Sequence, residues 1–149
     1  MDVLVVVDMQ KDFISGALGT KEAVAIFPRV AKKIAQAKKA GKTVVFTRDT
    51  HHENYLQTQE GKNLPVPHCI ENTPGWEIDP ALDTTGARIF DKPSFGSEEL
   101  VQYLKGLDNL TSAEFVGLCT DICVITNVLS AKCALPELPI AVDSACCAG

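Results

Sequence analysis

The sequence predicts a single-domain α/β protein in which helices cover both faces of a parallel β-sheet. The length of 149 residues suits one compact domain and is too short for two. Short, mostly apolar segments alternate along the chain with segments of helical periodicity. Strands that alternate with helices are joined by right-handed crossovers, and this connectivity produces a parallel sheet. With 46% hydrophobic and 22% charged residues, the composition is that of an ordinary folded protein.

Each element follows from the spacing of its apolar residues. A short apolar run indicates a strand buried on both faces, and apolar residues at steps of three and four indicate an amphipathic helix. The stretch 49–80 has little periodicity, and so long a segment inside a compact domain is usually a functional loop. The predicted strands are 3–7, 43–47, 87–90, 113–118 and 138–142. The predicted helices are 26–39, 98–105 (capped by Ser97) and 121–134.

Charge and hydropathy exclude several classes of partner. The 19 acidic residues outnumber the 14 basic ones and give a net charge of −5, whereas nucleic-acid binding requires a positive patch. No apolar run approaches the roughly 18 to 20 residues that cross a bilayer, and the N-terminus lacks the basic region of a signal peptide. We therefore expect a cytoplasmic protein that binds neither nucleic acid nor membranes, with all its cysteines reduced.

Several reactive side chains directly follow predicted strands. In an open parallel sheet the ligand site lies at the carboxyl ends of the strands, so these side chains should converge. A thiol, a lysine and several carboxylates are among them, and together they suit nucleophilic catalysis. They are Asp8, Asp49, His51, Lys92, Thr120, Asp121, Cys123 and Asp143.

Cys123 is the leading candidate for a nucleophile. It falls in the first turn of a predicted helix, where the helix dipole and a nearby lysine favour the thiolate. Asp8 could accept the thiol proton and return it to a leaving amine, and backbone N–H groups at 118–120 and at Cys123 could stabilise an oxyanion. Alternatively, Cys123 is a buried structural thiol, as most free cysteines are, and Cys119 is a rival nucleophile. Asp8 could also be a cap and Lys92 a surface charge.

Five motifs link the chain to a known family. They are VVVDMQKDF at 5–13, TRDTHHENY at 47–55, PVPHCIENTPGWE at 65–77, DKPSFGS at 91–97 and VGLCTDICV at 116–124. By these motifs and their order, nearly the whole chain resembles the isochorismatase-like cysteine hydrolases, and most closely their nicotinamidase branch. The resemblance implies a six-stranded parallel sheet, with the sixth strand near 65–82 or in the terminal region. It also implies hydrolysis of a small carboxamide, above all nicotinamide to nicotinate and ammonia, through a thioester.

The resemblance also assigns roles to residues at the strand ends. It implies that Asp8 is the general base, Lys92 its partner in a triad and Cys123 the nucleophile. The bond between Leu118 and Cys119 would be the family's cis peptide, which aims an amide at the oxyanion.

The histidines of the long loop resemble a metal site. Asp49, His51 and the distant His68 are similar to the nicotinamidase metal ligands, which polarise the ring nitrogen of the substrate through the metal. That family uses a further His or Glu, for which Glu60 is the candidate here and Glu53 the alternative. Such ligands suit a divalent metal, in the first place zinc, with iron or manganese as alternatives. The histidines could instead cap loops and hydrogen-bond within them.

Aromatic residues are candidates for the substrate pocket. Phe13 matches the aromatic residue that flanks the flat ring in nicotinamidases, and Tyr55 or Trp76 could supply the opposite wall. Aromatic residues in a loop are more often anchors of that loop, which is the alternative for Tyr55 and Trp76.

Two other functions stay open at this stage. One is an isochorismatase-type hydrolysis of a vinyl ether, or another small-molecule hydrolysis of the same family. The other is a non-catalytic metal-binding or interaction module. The chain stops at Gly149 directly after its last predicted strand, where such a fold would add a covering helix, so we expect either truncation or cover by a partner subunit. We also expect a homo-oligomer, since bare apolar surface seldom stays solvated.

Overall fold

A five-stranded parallel β-sheet forms the centre of the molecule, and the predicted fold class is confirmed. The computed structural model describes residues 1–149. The strands are β1 (Asp2–Val7), β2 (Thr43–Asp49), β3 (Arg88–Lys92), β4 (Ser112–Leu118) and β5 (Ile140–Ala148), in the sheet order β3-β2-β1-β4-β5. The helices are α1 (Lys11–Ile14), α2 (Lys21–Lys39), α3 (Gln59–Asn63), α4 (Glu98–Lys105) and α5 (Ile125–Ala134).

β1 lies at the centre of the sheet because its side chains are apolar on both faces. Val5, Val6 and Val7 are completely buried, and the strand pairs with β2 on one side and β4 on the other. A strand covered on both faces needs no alternation of polar and apolar residues. The first polar residue after this run, Asp8, therefore emerges at the carboxyl edge of the sheet.

Apolar cores lie on both faces of the sheet. On one face α2 buries Ile26, Val30 and Ile34, and on the other α4 and α5 bury residues that include Leu104 and Ala131. None of the helices has the length and apolarity to cross a membrane. All six cysteines are free thiols.

Two helices differ from the pattern that apolar spacing predicts. α2 begins at Lys21 rather than at residue 26, because the Thr20 hydroxyl accepts a hydrogen bond from the Ala23 N–H and caps the helix about one turn earlier. The helix predicted over 121–134 is divided into a π-helical turn, Thr120–Val124, and α5.

β5 continues past its predicted end at residue 142. A register shift between Phe115 and Gly117 of β4 lets the pairing resume at Cys147, so the strand reaches Ala148. Asp143 therefore lies within the strand, where its carboxylate is 2.7 Å from Nζ of Lys33. The prediction that Asp143 joins the reactive residues at the carboxyl edge is wrong.

The segment 49–80 is largely a long loop, as predicted. It contains α3, two short 3₁₀ turns and an isolated bridge between His51 and Ile70. It adds no strand to the sheet, so the expected sixth strand does not lie in 65–82.

Candidate active site

Residues from four adjacent strands meet at the carboxyl edge of the sheet. Asp8 directly follows β1, Asp49 ends β2, Lys92 ends β3, and Cys123 lies in the π-helical turn after β4. All four side chains are buried. The strand order brings them together although they are far apart in the sequence, as expected for an open parallel sheet.

Lys92 connects the thiol to the carboxylate. Its Nζ lies 3.4 Å from Sγ of Cys123 and 2.7 Å from Oδ2 of Asp8. The same ammonium donates a hydrogen bond of 2.9 Å to the Ser94 carbonyl and lies 3.6 Å from Oδ1 of Asp49. A buried lysine needs this set of partners, because an unpaired charge in the interior is costly.

Asp8 is held by the neighbouring strand β2. Its φ of 48° lies in the left-handed region, and its N–H donates to the Thr47 carbonyl at 3.1 Å. Its Oδ1 accepts a hydrogen bond of 2.7 Å from the Thr47 hydroxyl. Its Oδ2 forms the ion pair with Lys92 but accepts no well-aligned hydrogen bond. One carboxylate oxygen is therefore used for anchoring, and the other is paired only with the Lys92 ammonium.

Burial controls the protonation of these groups. Burial raises the pKa of Cys123 well above its ordinary value, the Asp8 charge raises it further, and Lys92 lowers it only in part. Burial also raises the pKa of Asp8, against the opposing effect of Lys92. Burial lowers the pKa of Lys92, but the charges of Asp8 and Asp49 outweigh this and the pKa is raised. These shifts favour the neutral thiol of Cys123 and the ammonium of Lys92, and they make the Asp8 carboxylate a stronger base than usual.

Burial opposes the expected preference of Cys123 for the thiolate form. Cys123 lies in the π-helical turn Thr120–Val124, which leads directly into α5, and the effect of the helix dipole on the thiol stays a prediction. The effect of burial on the thiol pKa exceeds that of the Lys92 charge. A thiol with a raised pKa requires a general base to become a nucleophile.

The turn after β4 contains a backbone amide without a hydrogen-bond partner. The peptide bond between Leu118 and Cys119 is cis, the isomer that the resemblance implied. The Cys119 carbonyl accepts hydrogen bonds from the N–H groups of Ile122 and Val124, whereas the Cys119 N–H donates to no group of the chain. Before the turn, Gly117 has a φ of 121°, and a Cβ there would collide with the Val7 backbone. Glycine thus lets β4 lie directly against the end of β1.

Four possible metal ligands form a cluster beside the triad. One ligand atom from each of Asp49, His51, Glu60 and His68 lies within 4.8 Å of all the others. His51 Nε2 is 3.0 Å from Oδ2 of Asp49 and 3.1 Å from Oε2 of Glu60. His68 Nε2 is 3.5 Å and 3.6 Å from the same two oxygens. The cluster contains all four residues that the sequence singled out.

The donor set fits a divalent metal ion. Two carboxylates point at one spot, where they would repel each other without a cation, and two imidazoles complete a nitrogen and oxygen set of the kind that zinc uses. His68 Nδ1 lies 2.8 Å from the Val66 carbonyl, a contact that directs Nε2 toward the cluster. Hydrogen bonds from His51 and His68 keep the pKa of Asp49 below its ordinary value although burial raises it.

Two other titratable residues of the loop, His52 and Glu53, are not members of this cluster. His52 is 67% exposed in its side chain and lies 3.5 Å from the Glu71 carboxylate. Glu53 is exposed and is not part of the cluster, so Glu60 is the fourth member.

Gln10 is a site residue that the sequence did not single out. Its side chain is completely buried, and its Nε2 donates to the carbonyls of Asp49 and Trp76, each at 2.8 Å. Its Oε1 accepts from the Asp49 N–H at 2.8 Å. Gln10 therefore fixes the backbone of a cluster residue. A signal was available, because an amide three residues after the end of a buried strand requires hydrogen-bonding partners if it is buried as well.

A small cavity of about 230 Å³ opens beside Cys123 and the cluster. Its apolar surface includes Phe13, as expected, and four further apolar residues that the sequence did not single out, Leu18, Leu64, Phe95 and Ile122. Leu64, Phe95 and Ile122 are each about 40% exposed, and two of these three lie inside motifs that already carried catalytic candidates. The lining consists of Phe13, Leu18, Asp49, Glu60, Leu64, His68, Phe95, Cys119, Ile122 and Cys123.

Tyr55 and Trp76 do not line this cavity, contrary to the expectation from the sequence. Tyr55 packs its ring against His51 and His68, with centroids 4.8 Å and 5.0 Å away. Trp76 donates from Nε1 to the Thr50 hydroxyl at 2.9 Å, and Arg48 lies over its ring. Both aromatic residues anchor the loop, as the alternative interpretation of the sequence predicted.

Known proteins are similar to this chain in sequence. The model of the Isochorismatase domain matches residues 2–149. The nicotinamidase/pyrazinamidase of Mycobacterium tuberculosis is 29% identical over 143 residues, an alignment that covers 83% of this chain and 75% of the relative. The nicotinamidase of Schizosaccharomyces pombe is 27% identical over 169 residues, and this alignment covers 87% of this chain and 76% of the relative.

A solved structure extends the likeness to three dimensions. The pyrazinamidase of Pyrococcus horikoshii, in complex with zinc, superimposes with a TM-score of 0.85 at 31% identity, covering 99% of this chain and 86% of that one. The family model spans almost every residue, and both the relatives and the solved structure bear nicotinamidase or pyrazinamidase names. The chain therefore belongs to the isochorismatase family, on its nicotinamidase and pyrazinamidase branch.

Proposed function

We propose that this protein hydrolyses the C–N bond of a small carboxamide, with nicotinamide as the first candidate, and releases the acid and ammonia. The observation that carries the proposal is the contact of Lys92 Nζ with both Cys123 Sγ and Asp8 Oδ2, beside a cavity that also contacts the Asp/His/Glu cluster. The names of the relatives support amide substrates of this kind.

The first half of the reaction transfers the acyl group to sulfur. Asp8 takes the proton of the Cys123 thiol through Oδ2, the oxygen that faces Lys92, and the sulfur attacks the amide carbon. The electron pair of the C=O bond moves to oxygen, where the N–H groups of Cys119 and Cys123 stabilise the oxyanion. Asp8 then gives its proton to the leaving nitrogen, the C–N bond breaks, and ammonia departs from a thioester.

The second half returns the enzyme to its starting state. Asp8 accepts a proton from a water molecule, whose oxygen attacks the thioester carbon. The C–S bond breaks, the sulfur regains a proton from Asp8, and the carboxylic acid is released. Lys92 stays an ammonium throughout and stabilises the negative charge that moves between Asp8 and Cys123.

A divalent metal, in the first place zinc, is part of the proposal. Asp49, His51, Glu60 and His68 would hold it, and their atoms already converge. A metal bound there supplies a Lewis acid that attracts and orients a nitrogen or oxygen of the substrate ring.

The cavity limits the size and polarity of the substrate. A volume of about 230 Å³ is below the roughly 300–1,000 Å³ of pockets for larger ligands. Phe13 and the four further apolar wall residues suit a flat ring, and no lysine or arginine lines the cavity. We therefore place small uncharged ring carboxamides ahead of anionic substrates such as those of an isochorismatase.

Ammonia release from a panel of carboxamides tests this function. The zinc-loaded protein should release ammonia from nicotinamide, the Cys123→Ala variant should not, and the Cys133→Ala variant, which removes an exposed thiol, should match the parent. A vinyl-ether substrate in the same panel tests the isochorismatase alternative. Zinc binding with no turnover of any substrate would contradict the proposal and indicate a binding module.

Location in the cytoplasm and self-association complete the proposal. Ile125, Leu129 and Val142 are large apolar residues at the surface, with exposures between 39% and 60%, and such residues favour association. Size-exclusion chromatography with light scattering should show an assembly larger than one chain, and a stable monomer would contradict this part.

A further inference from the structure

Asn127 is a buried amide that joins the nucleophile's turn to the loop after β3. It lies on α5 with no exposed surface, four residues after Cys123. Its Nδ2 donates to the Cys123 carbonyl at 2.7 Å and to the Phe95 carbonyl at 3.1 Å. Its Oδ1 accepts from the Ser97 N–H at 2.9 Å. Both donors and the acceptor of the side chain are therefore used.

The loop that Asn127 contacts carries two parts of the site. At its start, Lys92 donates to the Ser94 carbonyl at 2.9 Å, so the position of this loop affects the ammonium. Phe95 lines the cavity, and Ser97 caps α4 by accepting from the Leu100 N–H at 3.1 Å. Asn127 therefore bridges the backbone of the nucleophile and the segment between Lys92 and the cavity wall.

The choice of asparagine is informative because the residue suits a helix interior poorly. Its intrinsic helix propensity is low, and its burial costs free energy unless every polar atom has a partner. A hydroxyl side chain could reach the carbonyl four residues back but has only one donor. One planar amide makes all three contacts, to two residues of one loop that are 30 and 32 positions away in the chain and to the turn that precedes its own helix.

We propose that Asn127 is a positioning residue: it fixes the Cys123 sulfur relative to Lys92 and to the Phe95 wall of the cavity. The role rests on the proposed function, since it concerns the geometry of that reaction. It places no atom of Asn127 on the substrate. A misplacement of about 1 Å in such a site can cost about 100-fold in rate.

Two variants of Asn127 and one control on the same helix test the role. Asn127→Leu keeps the size of the side chain and removes all its polar atoms, and Asn127→Ala removes the bulk as well. Lys132→Met is the control, because it removes a comparable hydrogen bond, from Nζ to the Leu138 carbonyl at 2.9 Å, at the far end of α5. All proteins are assayed well below the lowest melting temperature.

Steady-state kinetics with nicotinamide give the first readout. For both Asn127 variants kcat should fall about 10- to 100-fold while KM stays within about threefold, because every side chain of the cavity is still present. Lys132→Met should keep its kcat within about twofold of the parent. An Asn127 variant with the parent's kcat, or an equal loss of kcat in Lys132→Met, would overturn the proposal.

The rate of alkylation by iodoacetamide, measured separately at Cys123 and Cys119 by peptide mass spectrometry, gives a second readout without turnover. Cys123 in the Asn127 variants should react at least about threefold more slowly than in the parent, because Lys92 is no longer held beside the sulfur, while Cys119 keeps its rate. If the parent releases no ammonia, the proposed function fails, and the alkylation ratio still decides on Asn127. If neither Asn127 variant folds while Lys132→Met does, the residue serves the fold alone and the proposal is overturned.

Discussion

The triad and the metal cluster adjoin each other but depend on different parts of the fold. Asp8 follows the end of β1 and Lys92 ends β3, and β2 lies between these two strands in the sheet. Cys123 follows β4 by a short turn. The backbone that carries this triad is therefore held by the hydrogen bonds of five paired strands.

The cluster depends mainly on the loop. Only Asp49 ends a strand, whereas Glu60 lies on the short helix α3. His51 and His68 lie in segments held by isolated contacts, such as the hydrogen bond of 2.9 Å from the His51 N–H to the Cys69 carbonyl. The sheet therefore sets the geometry of the nucleophile, while the geometry of the cluster needs further support. A bound divalent ion would supply that support.

The largest effect should follow from removing the base without disturbing the loop. Asp8→Asn keeps the shape and an oxygen for the Thr47 hydroxyl but cannot take the thiol proton. We expect kcat/KM for nicotinamide to fall about 1,000-fold or more, at the upper range for general acid–base catalysis. Zinc affinity, measured by competition with a chelator, should stay within about threefold. A variant within tenfold of the parent's kcat/KM would remove Asp8 from the mechanism.

The change of a cluster residue on the loop should instead weaken zinc binding. Glu60→Gln removes one of the two carboxylates that point at the cluster, and we expect the zinc dissociation constant to rise by at least about 100-fold, more than the loss of an outer hydrogen bond causes. Glu53→Gln is the matched control and should bind zinc like the parent, since Glu53 lies outside the cluster. Loss of affinity in Glu53→Gln instead would reassign the fourth ligand.

Removal of zinc should loosen the loop and leave the sheet unchanged. At a zinc concentration of 100 times the dissociation constant, binding stabilises the bound form by about 2.7 kcal/mol. Hydrogen exchange in 49–80 should therefore accelerate by up to about 100-fold after chelation, while β1 and β4 keep their protection. Equal acceleration in the loop and the sheet would show that the two regions do not differ as described.

Substitution of two aromatic residues should have a smaller effect, which distinguishes a residue of the cavity wall from a residue that anchors the loop. Phe95→Ala removes part of the cavity wall, and we expect KM for nicotinamide to rise roughly 2- to 10-fold, the equivalent of one aromatic contact. Trp76→Phe should leave KM within about twofold but lower the melting temperature, because it removes the hydrogen bond to Thr50. The reverse pattern would return Trp76 to the pocket.

The smallest effect concerns Asp143, which lies in β5 outside the site. Hydrogen bonding by Lys33 lowers the pKa of Asp143 from 3.8, so its stabilising effect is present above that value and is lost as the pH falls through the lower folded value. Asp143→Asn should keep the parent's activity and lower the free energy of unfolding by at most about 1 kcal/mol at neutral pH. Denaturant titrations should show this difference vanish in strong acid. A loss of activity would place Asp143 at the site after all.

The sequence predicted most of what the sheet positions. Strand ends gave Asp8, Asp49, Lys92 and Cys123, because parallel strands present their carboxyl ends at one edge whatever the loops do. Asp143 failed this rule since an irregularity in the β4–β5 pairing, which no local pattern announces, carries β5 further.

The features that the residue pattern alone could not predict depend on contacts between distant segments. The cluster was proposed through resemblance, because the spacing of His51, Glu60 and His68 in a loop has no periodicity to interpret. Gln10 and Asn127 act through backbone atoms of other segments, so their types alone do not disclose their partners. The raised pKa of Cys123 likewise follows from burial, which the prediction of a helix in this segment did not take into account.

The covalent state of the sulfur during turnover is the most direct test of the account. Zinc-loaded protein is mixed with nicotinamide, quenched with acid during steady-state turnover, digested and analysed by mass spectrometry. We predict an acyl group of the substrate on the peptide that contains Cys119 and Cys123, with fragment ions that place it on Cys123. Acylation of Cys119, or undiminished ammonia release by Cys123→Ala, would contradict the assignment of the nucleophile.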